Sequence, residues 1–389
     1  MNSPRIAIIG AGTAGSGAAL RAAQLGARDV VLLERAHAAS GSSGLSAGVY
    51  NVQTTDPLHI EIRARAREIM FRLEGKGLLH LSRIGNIRVA YTDDDVARLE
   101  QALAFQRSIG VEDSQIIDRN ALQSLVPDLL TTDLAGGLYG PNDGSLDGHQ
   151  LCDALLAEAK ELGVQVRLNA DVTRHSKNGT THILHTDGAD VEADIVINAA
   201  GPWAGKVAEM LGTHLPVIPQ VHEVVQVKLP RKLGYTVPMV NLYMPGMDGE
   251  ALYFRQDGPD SLIAGMHTYL FQKELDTADP DSYRKKVSDD YVYSVAEALH
   301  HRFLVDDLGF KPGWTGLYPI SPDGNFLIGP HREDVTIIAC GGLGGVGVTS
   351  GAIAGYTAAE WALRGAPVTV PGMTAMSLDR LSTAEGQPA

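Results

Sequence analysis

One stretch near the start of the chain, residues 5–34, constrains the fold more than any other. Its sequence is RIAIIGAGTAGSGAALRAAQLGARDVVLLE. An apolar strand at 6–9, a glycine-rich turn at 10–15, an alanine-rich helix at 16–25 and a second apolar strand at 30–33 follow one another directly. This order is typical of a dinucleotide-binding unit, because the turn brings backbone N–H groups and a helix N-terminus to one point.

Each glycine of this turn has a separate physical role. Gly10 permits the tight turn, Gly12 lets a pyrophosphate approach the backbone, and Gly15 lets the helix pack closely on the strand. Glu34 follows about 20 residues later, where an acid accepts hydrogen bonds from ribose hydroxyls. The turn alone leaves open whether the dinucleotide is a nicotinamide or a flavin.

The overall composition excludes several classes of protein. A chain of 389 residues with 44% hydrophobic residues is long enough for two globular domains. A net charge of −14 argues against nucleic acid or an anionic membrane surface as a partner. The apolar stretch 335–361 is interrupted by glycines, so we predict no integral membrane segment. Because the first strand begins at once, with no secretory signal before it, we predict a cytoplasmic protein.

The cysteines and histidines predict no structural metal and no disulfide. Cys152 and Cys340 are the two cysteines, and we interpret both as small core residues. His149, His175, His222 and His301 do not fall at metal-ligand spacings with carboxylates, and we interpret them as structural or surface residues. His222 is the partial exception, although a structural role is favoured for it as well.

The pattern of elements predicts an α/β protein with two domains. A Gly/Ser-rich loop at 40–48 suits close approach of the backbone to a ligand. Helices are predicted at 57–74, 94–109, 118–126, 151–162, 204–211, 282–287, 291–302 and 346–364. The charged residues of the first of these, Arg63, Arg65, Arg67 and Glu68, are interpreted as a solvated face.

Strands are predicted between and after these helices. Residues 80–91 are interpreted as a hairpin around Gly85 and Asn86, and 164–168, 194–198, 309–318 and 334–339 as single strands. Alternating strands between 217 and 265 indicate a second domain built on a mainly antiparallel sheet with helices. The predicted domains are a discontinuous Rossmann-like domain (1–80, 145–215 and 315–381), a substrate domain (81–144 and 216–314) and a flexible tail (382–389).

Four separated stretches together resemble the FAD-dependent amine and amino-acid oxidoreductases of the D-amino-acid oxidase superfamily. They are residues 10–15 with Glu34; the loop SGSSGLSAG at 40–48; NAAGPW at 198–203; and YPISPDG at 318–324 with LIG at 327–329 and GGLGGVG at 341–347. Their order and spacing match across nearly the whole chain. The resemblance, not the glycine turn, implies FAD as the cofactor.

The resemblance also implies which residues hold FAD. These are Gly10, Gly12, Thr13, Ala14, Gly15, Glu34 and Arg35; Ser42, Ser43, Ala47 and Gly48; Val172, Ala200, Gly201 and Trp203; and Gly316, Gly342, Gly344, Gly345, Val346, Gly347 and Val348. Val172 would hold the adenine through its backbone. The late glycine loop would lie at the flavin pyrimidine edge, where N–H groups and a helix dipole stabilise the negative charge of reduced flavin.

Within that superfamily the chain is most similar to the sarcosine oxidase and N-methyl amino-acid oxidase branch. Tyr253, His267 and Tyr318 match active-site residues of that branch, and the resemblance implies that they form the polar side of a cavity over the flavin. It implies oxidation of an amine or an N-substituted amino acid by hydride transfer to FAD, giving an imine that hydrolyses. The expected substrate is a small-molecule amine or amino acid.

The chain departs from this branch at the positions that bind the substrate carboxylate. No arginine lies between 40 and 51, Thr349 stands at the lysine position, and Tyr318 stands where glycine and D-amino-acid oxidases carry an arginine. Since a buried carboxylate without a cation is costly, either the substrate lacks that carboxylate or another cation, such as Arg255, replaces the missing ones.

Two further departures concern the flavin. Ile263 stands at the position of the lysine that promotes reaction with oxygen, so we expect a dehydrogenase or a slow oxidase. Gly316 replaces the cysteine that bonds flavin in those oxidases, and the loop 40–48 contains no histidine, so FAD is expected to bind noncovalently. Two alternatives remain open: the flavin subunit of a heteromeric dehydrogenase with an electron-accepting partner, and a nicotinamide-binding protein without flavin.

Overall fold

The computed structural model describes residues 3–243, 251–266 and 278–381. In chain order its strands are β1 (Arg5–Ile9), β2 (Asp29–Leu33), β3 (Val49–Tyr50), β4 (Asn86–Ala90), β5 (Gln115–Asp118), β6 (Gly136–Gly140), β7 (Gly144–Ser145), β8 (Gln165–Arg167), β9 (Val172–Asn178), β10 (Thr181–Thr186), β11 (Val191–Ala193), β12 (Ile195–Asn198), β13 (Ile218–Lys228), β14 (Met239–Asn241), β15 (Leu252–Gly258), β16 (Ser261–Met266), β17 (Gly309–Ile320), β18 (Leu327–Pro330) and β19 (Ile337–Gly341).

The helices lie between these strands. The α-helices in the described residues are α1 (Thr13–Gln24), α2 (Pro57–Gly75), α3 (Asp93–Ser108), α4 (Arg119–Leu125), α5 (Gly148–Glu161), α6 (Ala204–Met210), α7 (Asp289–Arg302) and α8 (Gly347–Arg364). Short 3₁₀ helices cover Gly201–Trp203, Gly344–Val346, Pro371–Met376 and Leu378–Arg380.

A six-stranded sheet carries the nucleotide motif, in the order β18-β19-β12-β1-β2-β8. Its strands are parallel except for β18, which pairs antiparallel with β19. Helices α1, α5 and α8 pack against this sheet, and Leu20, Leu155 and Ile353 share one apolar core. A second core connects the sheet to the small sheet β9-β10-β11 and to α6. The glycine turn therefore lies at the carboxyl end of β1, between β2 and β12.

An eight-stranded sheet forms the second layer of the molecule, in the order β17-β13-β16-β15-β14-β4-β6-β5. All neighbouring pairs are antiparallel except β14 and β4, which run parallel. Helix α7 buries Val295 and Leu299 in the same core as Phe254 of this sheet. The strands of both sheets fall within the predicted domain segments, except that β17 crosses the predicted boundary at 315. The exact domain boundaries stay a prediction.

The structure corrects three predicted element assignments. The hairpin at 80–91 is wrong: β4 pairs with β6 and β14, and the residues before it form only an isolated bridge between Ser82 and Ser145. The helix at 282–287 is wrong as well, because the next helix begins only at α7, whose N-cap Ser288 accepts a hydrogen bond from Tyr291 N. Asp118 belongs to β5 and caps α4 instead of lying inside it.

A further correction concerns the charged residues of α2. The solvated face is wrong for Arg63 and Arg67, which are 9% and 7% exposed. Both lie on one stripe of the helix with the buried residues Ile60 and Met70.

No helix among the described residues combines the length and the apolar character needed to span a bilayer. The described residues also contain no group of three or more His, Cys, Asp or Glu arranged to hold a metal ion.

Candidate active site

The N-terminus of α1 is the first element of the site. Gly10 has a φ of +106°, and a Cβ there would lie 2.6 Å from the carbonyl oxygen of Ala199. A Cβ on Gly15 would lie 1.8 Å from the carbonyl oxygen of Gly10, so this glycine is required for contact between helix and turn. At Gly12 a Cβ would contact the Ser43 hydroxyl at 3.1 Å and no backbone atom, so the missing side chain leaves the space in front of the helix open.

Two long helices begin at the site without a capping side chain. The N-caps of α2, α3, α4, α5 and α7 all accept a backbone N–H through their side chains. The N-caps of α1 and α8, Gly12 and Val346, make no such bond. Both residues line the same cavity, so two positive helix ends lie at one ligand space, although the first N–H of α1, that of Thr13, donates to Ser43 Oγ at 3.1 Å.

Glu34 is held rigidly at the end of β2. One carboxylate oxygen accepts from Ala11 N at 2.9 Å, and the other accepts from Ala36 N at 2.9 Å. The second oxygen also accepts from Ser40 Oγ at 3.3 Å. The side chain is 8% exposed, so its position is fixed by the fold before any ligand binds.

A cavity of about 230 Å³, named here the outer cavity, opens beside Glu34. The predicted cofactor residues that line it are Gly10, Gly12, Glu34, Arg35, Ser42, Ser43, Val172, Ala200, Gly201 and Trp203. Val172 begins β9, and the small sheet thereby forms one wall of this cavity.

The charges around the outer cavity are paired within the chain. Arg35 lies over the ring of Trp203, with its guanidinium carbon 4.0 Å from the ring centroid, and donates to Asp281 at 3.0 Å. Lys206 Nζ lies 2.7 Å from both Asp279 Oδ1 and Asp281 Oδ2. These bonds, led by that from Lys206, hold the pKa of Asp281 well below its usual range.

A second cavity of about 300 Å³, named the inner cavity, continues from the outer one. The two cavities share Gly12, Ser42, Ser43, Ala199 and Gly201. The predicted cofactor residues that line the inner cavity are Gly12, Thr13, Ala14, Ser42, Ser43, Ala47, Gly48, Gly201, Gly316, Gly344, Gly345, Val346, Gly347 and Val348. The two cavities are therefore adjacent at the α1 N-terminus, and together they are named the cleft.

Two predicted site residues lie outside both cavities. Gly15 packs against Gly10, and Gly342 turns the chain after β19 with a φ of +68°. The predicted residue His267 lies outside the described residues.

Tyr253 and Tyr318 meet in the inner cavity, as the sequence predicts. Burial raises the pKa of the Tyr318 hydroxyl to about 12, and burial together with the nearby Tyr318 raises the pKa of Tyr253 above its usual range. The ring of Tyr318 packs over Gly345, where a Cβ would lie 2.4 Å from the ring. Both hydroxyls therefore stay protonated across the physiological pH range and remain able to donate a hydrogen bond.

His222 is a cavity residue whose position the sequence interpretation assigned to a structural role. Its ring stacks on that of Tyr318 with centroids 3.7 Å apart and planes 18° apart, and it lines the inner cavity. In the sequence, the signal was its place among the predicted alternating strands between 217 and 265. The structure places it in β13, opposite Gly316 of β17.

Arg63 and Arg88 also line the inner cavity, and the sequence interpretation missed both. Arg255, the cation expected to replace the missing ones, does not line it. Its guanidinium donates to Ala47 O at 2.7 Å and to Asp257 Oδ1 at 2.9 Å. Thr349 lines the cavity but donates its hydroxyl to Val49 O.

Comparisons with known proteins agree with this geometry. The profile of the family described as "FAD dependent oxidoreductase" (DAO) matches residues 5–361. The chain is 27% identical over 341 residues to glycine oxidase of Geobacillus kaustophilus, covering 84% of each protein. It is 25% identical over 377 residues to mitochondrial sarcosine dehydrogenase of Mus musculus, covering 94% of this chain but 40% of that protein. It therefore spans less than half of this relative's length.

A solved structure shares the whole fold. L-Proline dehydrogenase from P. horikoshii superposes with a TM-score of 0.81 at 21% identity, covering 98% of this chain and 99% of that one. At this identity the likeness establishes the fold alone.

Proposed function

Because the chain belongs to the FAD-dependent oxidoreductase family, we propose that it oxidises the C–N bond of an amine or an N-substituted amino acid. In this reaction the carbon next to nitrogen loses a hydride to FAD and the nitrogen loses a proton. The product is an imine, which water hydrolyses to a carbonyl compound and an amine or ammonia. The family relatives named as glycine oxidase and sarcosine dehydrogenase support a C–N donor.

The residues present fit noncovalent FAD. The outer cavity offers Glu34 for the ribose and the backbone near Val172 for the adenine, and the open space at Gly12 admits the pyrophosphate. The uncapped N-terminus of α8 would face the flavin and stabilise negative charge on it. Bound FAD supplies the two-electron acceptor, which no side chain of the protein can replace.

The protein's own contribution is to orient the amine and to exclude water. Tyr253 and Tyr318, both protonated, would hold the substrate through hydrogen bonds, and the His222 ring fixes Tyr318 from behind. The buried arginines Arg63 and Arg88 line the same cavity, and positive charge nearby favours the neutral amine, from which hydride loss is possible. The catalytic role of Tyr253, Tyr318 and His267 is part of this proposal.

One observation supports the proposal above all others. The ribose acceptor Glu34 and the tyrosine pair line two adjacent cavities, which share residues at the α1 N-terminus. A nicotinamide cofactor also fits the glycine turn, but the family match extends over the late glycine loop and favours the flavin.

The experiment is anaerobic mixing of the purified, FAD-loaded protein with N-methyl amines, D- and L-amino acids and opine-like secondary amines. We expect the flavin absorbance to bleach with one class of amine and not with 2-hydroxy acids of the same carbon skeleton. A flavin that dithionite reduces but none of the amines reduces would contradict the proposal. Replacing Tyr253 or Tyr318 with Phe should slow bleaching while leaving the flavin bound.

A second candidate is the flavin subunit of a dehydrogenase that passes electrons to a partner protein. The observation that favours it is Ile263, which is fully buried in β16 and places no charge at the cavity. Good turnover with an artificial acceptor but slow oxygen consumption would support this candidate. Rapid oxygen consumption would exclude it. The cytoplasmic location stays a prediction.

A further inference from the structure

Two arginines on the inner cavity are buried without a carboxylate partner among the described residues. Arg63 of α2 and Arg88 of β4 are 9% and 8% exposed. Arg63 Nη1 donates to Asn51 Oδ1 at 2.8 Å. Arg88 donates to two carbonyl oxygens, that of Gln53 at 2.8 Å and that of Tyr243 at 2.6 Å. All of these acceptors are neutral.

The hydrogen-bonding capacity of both groups is only partly used. Arg63 Nε is buried and has no hydrogen-bond partner within the described part of the chain. A guanidinium has five N–H donors, and those of Arg63 and Arg88 are not exhausted by the neutral acceptors.

Among carboxylates, Asp143 has the strongest electrostatic effect on Arg63, but its oxygens already accept hydrogen bonds from other residues. Asp143 is fully buried and accepts from Arg67 at 2.9 Å, from Gln53 Nε2 at 2.8 Å and from Val52 N at 3.2 Å. Arg67 also binds Asp113. Arg67, one helical turn from Arg63, therefore forms ion pairs with two carboxylates. Arg63 forms none with residues 3–243, 251–266 and 278–381.

Two like charges thus line the inner cavity. Glu223 lines it as well, but its carboxylate already accepts from Arg284 at 2.9 Å and from Ser288 N at 2.6 Å. Burial lowers the pKa of Arg63 and of Arg88 to about 10, and for Arg63 the charge of Arg88 lowers it further. Both remain protonated at neutral pH. A buried, unpaired ion costs several kcal/mol, and no carboxylate among the described residues forms an ion pair with either arginine, so an anion bound in the cavity would offset this cost.

We propose that Arg63 and Arg88 form an anion-binding subsite, and that the substrates of this chain are amines that carry a carboxylate. The proposal rests on the C–N oxidation proposed above. Guanidinium groups match carboxylates in geometry and form stronger hydrogen bonds with them than with neutral acceptors. The subsite explains how Thr349 and Tyr318 can be neutral: the positive charge comes from α2 and β4 instead.

The test compares a carboxylated substrate with its neutral amide. The variants are Arg63→Met and Arg88→Met, which keep much of the apolar volume, with Arg65→Met on the more exposed side of the same helix as the matched control. We measure the dissociation constant and the limiting rate of anaerobic flavin reduction for the best amino acid of the panel and for its amide.

We expect each Arg→Met change to weaken binding of the acid by about 10- to 100-fold, the loss typical of a charged hydrogen bond. The amide should change by less than about threefold, and Arg65→Met should resemble the wild type in both. Arg88→Lys should recover part of the preference for the acid, because it restores the charge but not the fork. An equal loss for acid and amide, or an unchanged preference for the acid, would overturn the subsite.

A second readout separates this proposal from the proposed function. Propionate and propionamide are titrated into the FAD-loaded protein while the flavin spectrum and the thermal midpoint are followed. The subsite predicts that propionate shifts both in the wild type and in Arg65→Met but not in Arg63→Met or Arg88→Met, and that propionamide shifts neither. Failure of every amine to bleach the flavin would defeat the C–N oxidation alone, whereas absence of any propionate effect in the wild type would defeat the subsite.

Discussion

The two ends of the cleft differ in the partners of their charged side chains. Around the outer cavity, the Glu34 carboxylate is satisfied by backbone N–H groups, and Arg35 and Lys206 are paired with Asp281 and Asp279. Around the inner cavity, Arg63 and Arg88 have only neutral acceptors within the part of the chain that the structure describes. At the first end, Glu34, Arg35 and Lys206 are engaged without a ligand. At the second end Glu223 is paired with Arg284, and neither Arg63 nor Arg88 has a carboxylate partner among the described residues.

In the proposed function, this difference separates a site for a cofactor that stays bound from a site for a substrate that binds and leaves. Backbone groups and fixed ion pairs hold their geometry whether or not a ligand is bound, which suits a cofactor that stays. An unpaired buried cation destabilises the empty site and gains most when an anion arrives, so it favours selection among substrates.

The largest expected effect separates Arg67 from Arg63, two buried arginines of one helix. Arg67→Met leaves Asp143 buried without its ion pair, so we expect a loss of about 3–5 kcal/mol in the free energy of unfolding. Arg63→Met removes an ion with neutral partners, and we expect a neutral or stabilising effect in carboxylate-free buffer. Denaturant unfolding of both variants measures this, and a comparable loss in both would show that Arg63 is as well compensated as Arg67.

The next effect concerns the outer end. Glu34→Gln replaces one acceptor oxygen with an NH₂ group that faces the N–H of Ala11 or Ala36. One of these two hydrogen bonds is then lost, and the side chain is no longer held in place before FAD binds. We expect FAD affinity to fall by about 10- to 100-fold, corresponding to about 1.5–3 kcal/mol. Titration of apoprotein with FAD measures it. A variant that keeps wild-type FAD affinity would mean that the adenosine end does not depend on this carboxylate.

A smaller effect is expected from the stacked pair of the inner cavity. His222→Leu removes the ring behind Tyr318, an interaction of about 0.5–1.5 kcal/mol. We expect slower flavin reduction with unchanged FAD affinity, because the outer cavity is not touched. We measure the rate of flavin reduction and the FAD affinity of the variant. Tyr318→Phe serves as the comparison, because it keeps the stacked rings. A loss of FAD affinity would show that the two ends are coupled.

The smallest effect is a pH dependence of the small sheet that carries Val172. His182 is buried, with its ring nitrogens 3.0 Å from His175 and 2.8 Å from Thr336, and burial lowers its pKa from 6.5 to about 4. The His182 imidazole is therefore protonated more readily in the unfolded chain than in the folded one. The contribution of neutral His182 to the free energy of unfolding is complete above pH 6.5 and is lost as the pH falls towards 4. The difference in thermal midpoint between the wild type and His182→Gln should be smaller at pH 5 than at pH 7.

The sequence predicted much of the fold because its signals are local. The strand, turn and helix of the nucleotide unit, the capped helices and the order of the elements all follow from neighbouring residues. The hairpin at 80–91 failed because the partners of β4 are β6 and β14, which lie far away in the chain. Strand pairing over such distances leaves no trace in a short window.

The candidate site was predicted in part for the same reason. Tyr253 and Tyr318 were found through a resemblance, whereas Arg63 was assigned to a solvated face and Arg88 was not singled out. A signal for Arg63 was present: it lies on the stripe of α2 between Ile60 and Met70. An arginine at a buried position is nevertheless interpreted as a surface residue until a cavity is seen beside it.

By itself, the sequence predicted the proposed cofactor end of this protein, because a glycine turn, a helix start and one acid are close together in the chain and act through the backbone. Only the tertiary structure showed which residues meet at the proposed substrate end. There, α2, β4, β13 and β17 bring Arg63, Arg88, His222 and Tyr318 into one cavity. Whether a buried charge is balanced depends on which distant side chains the fold places beside it, and that is a property of packing.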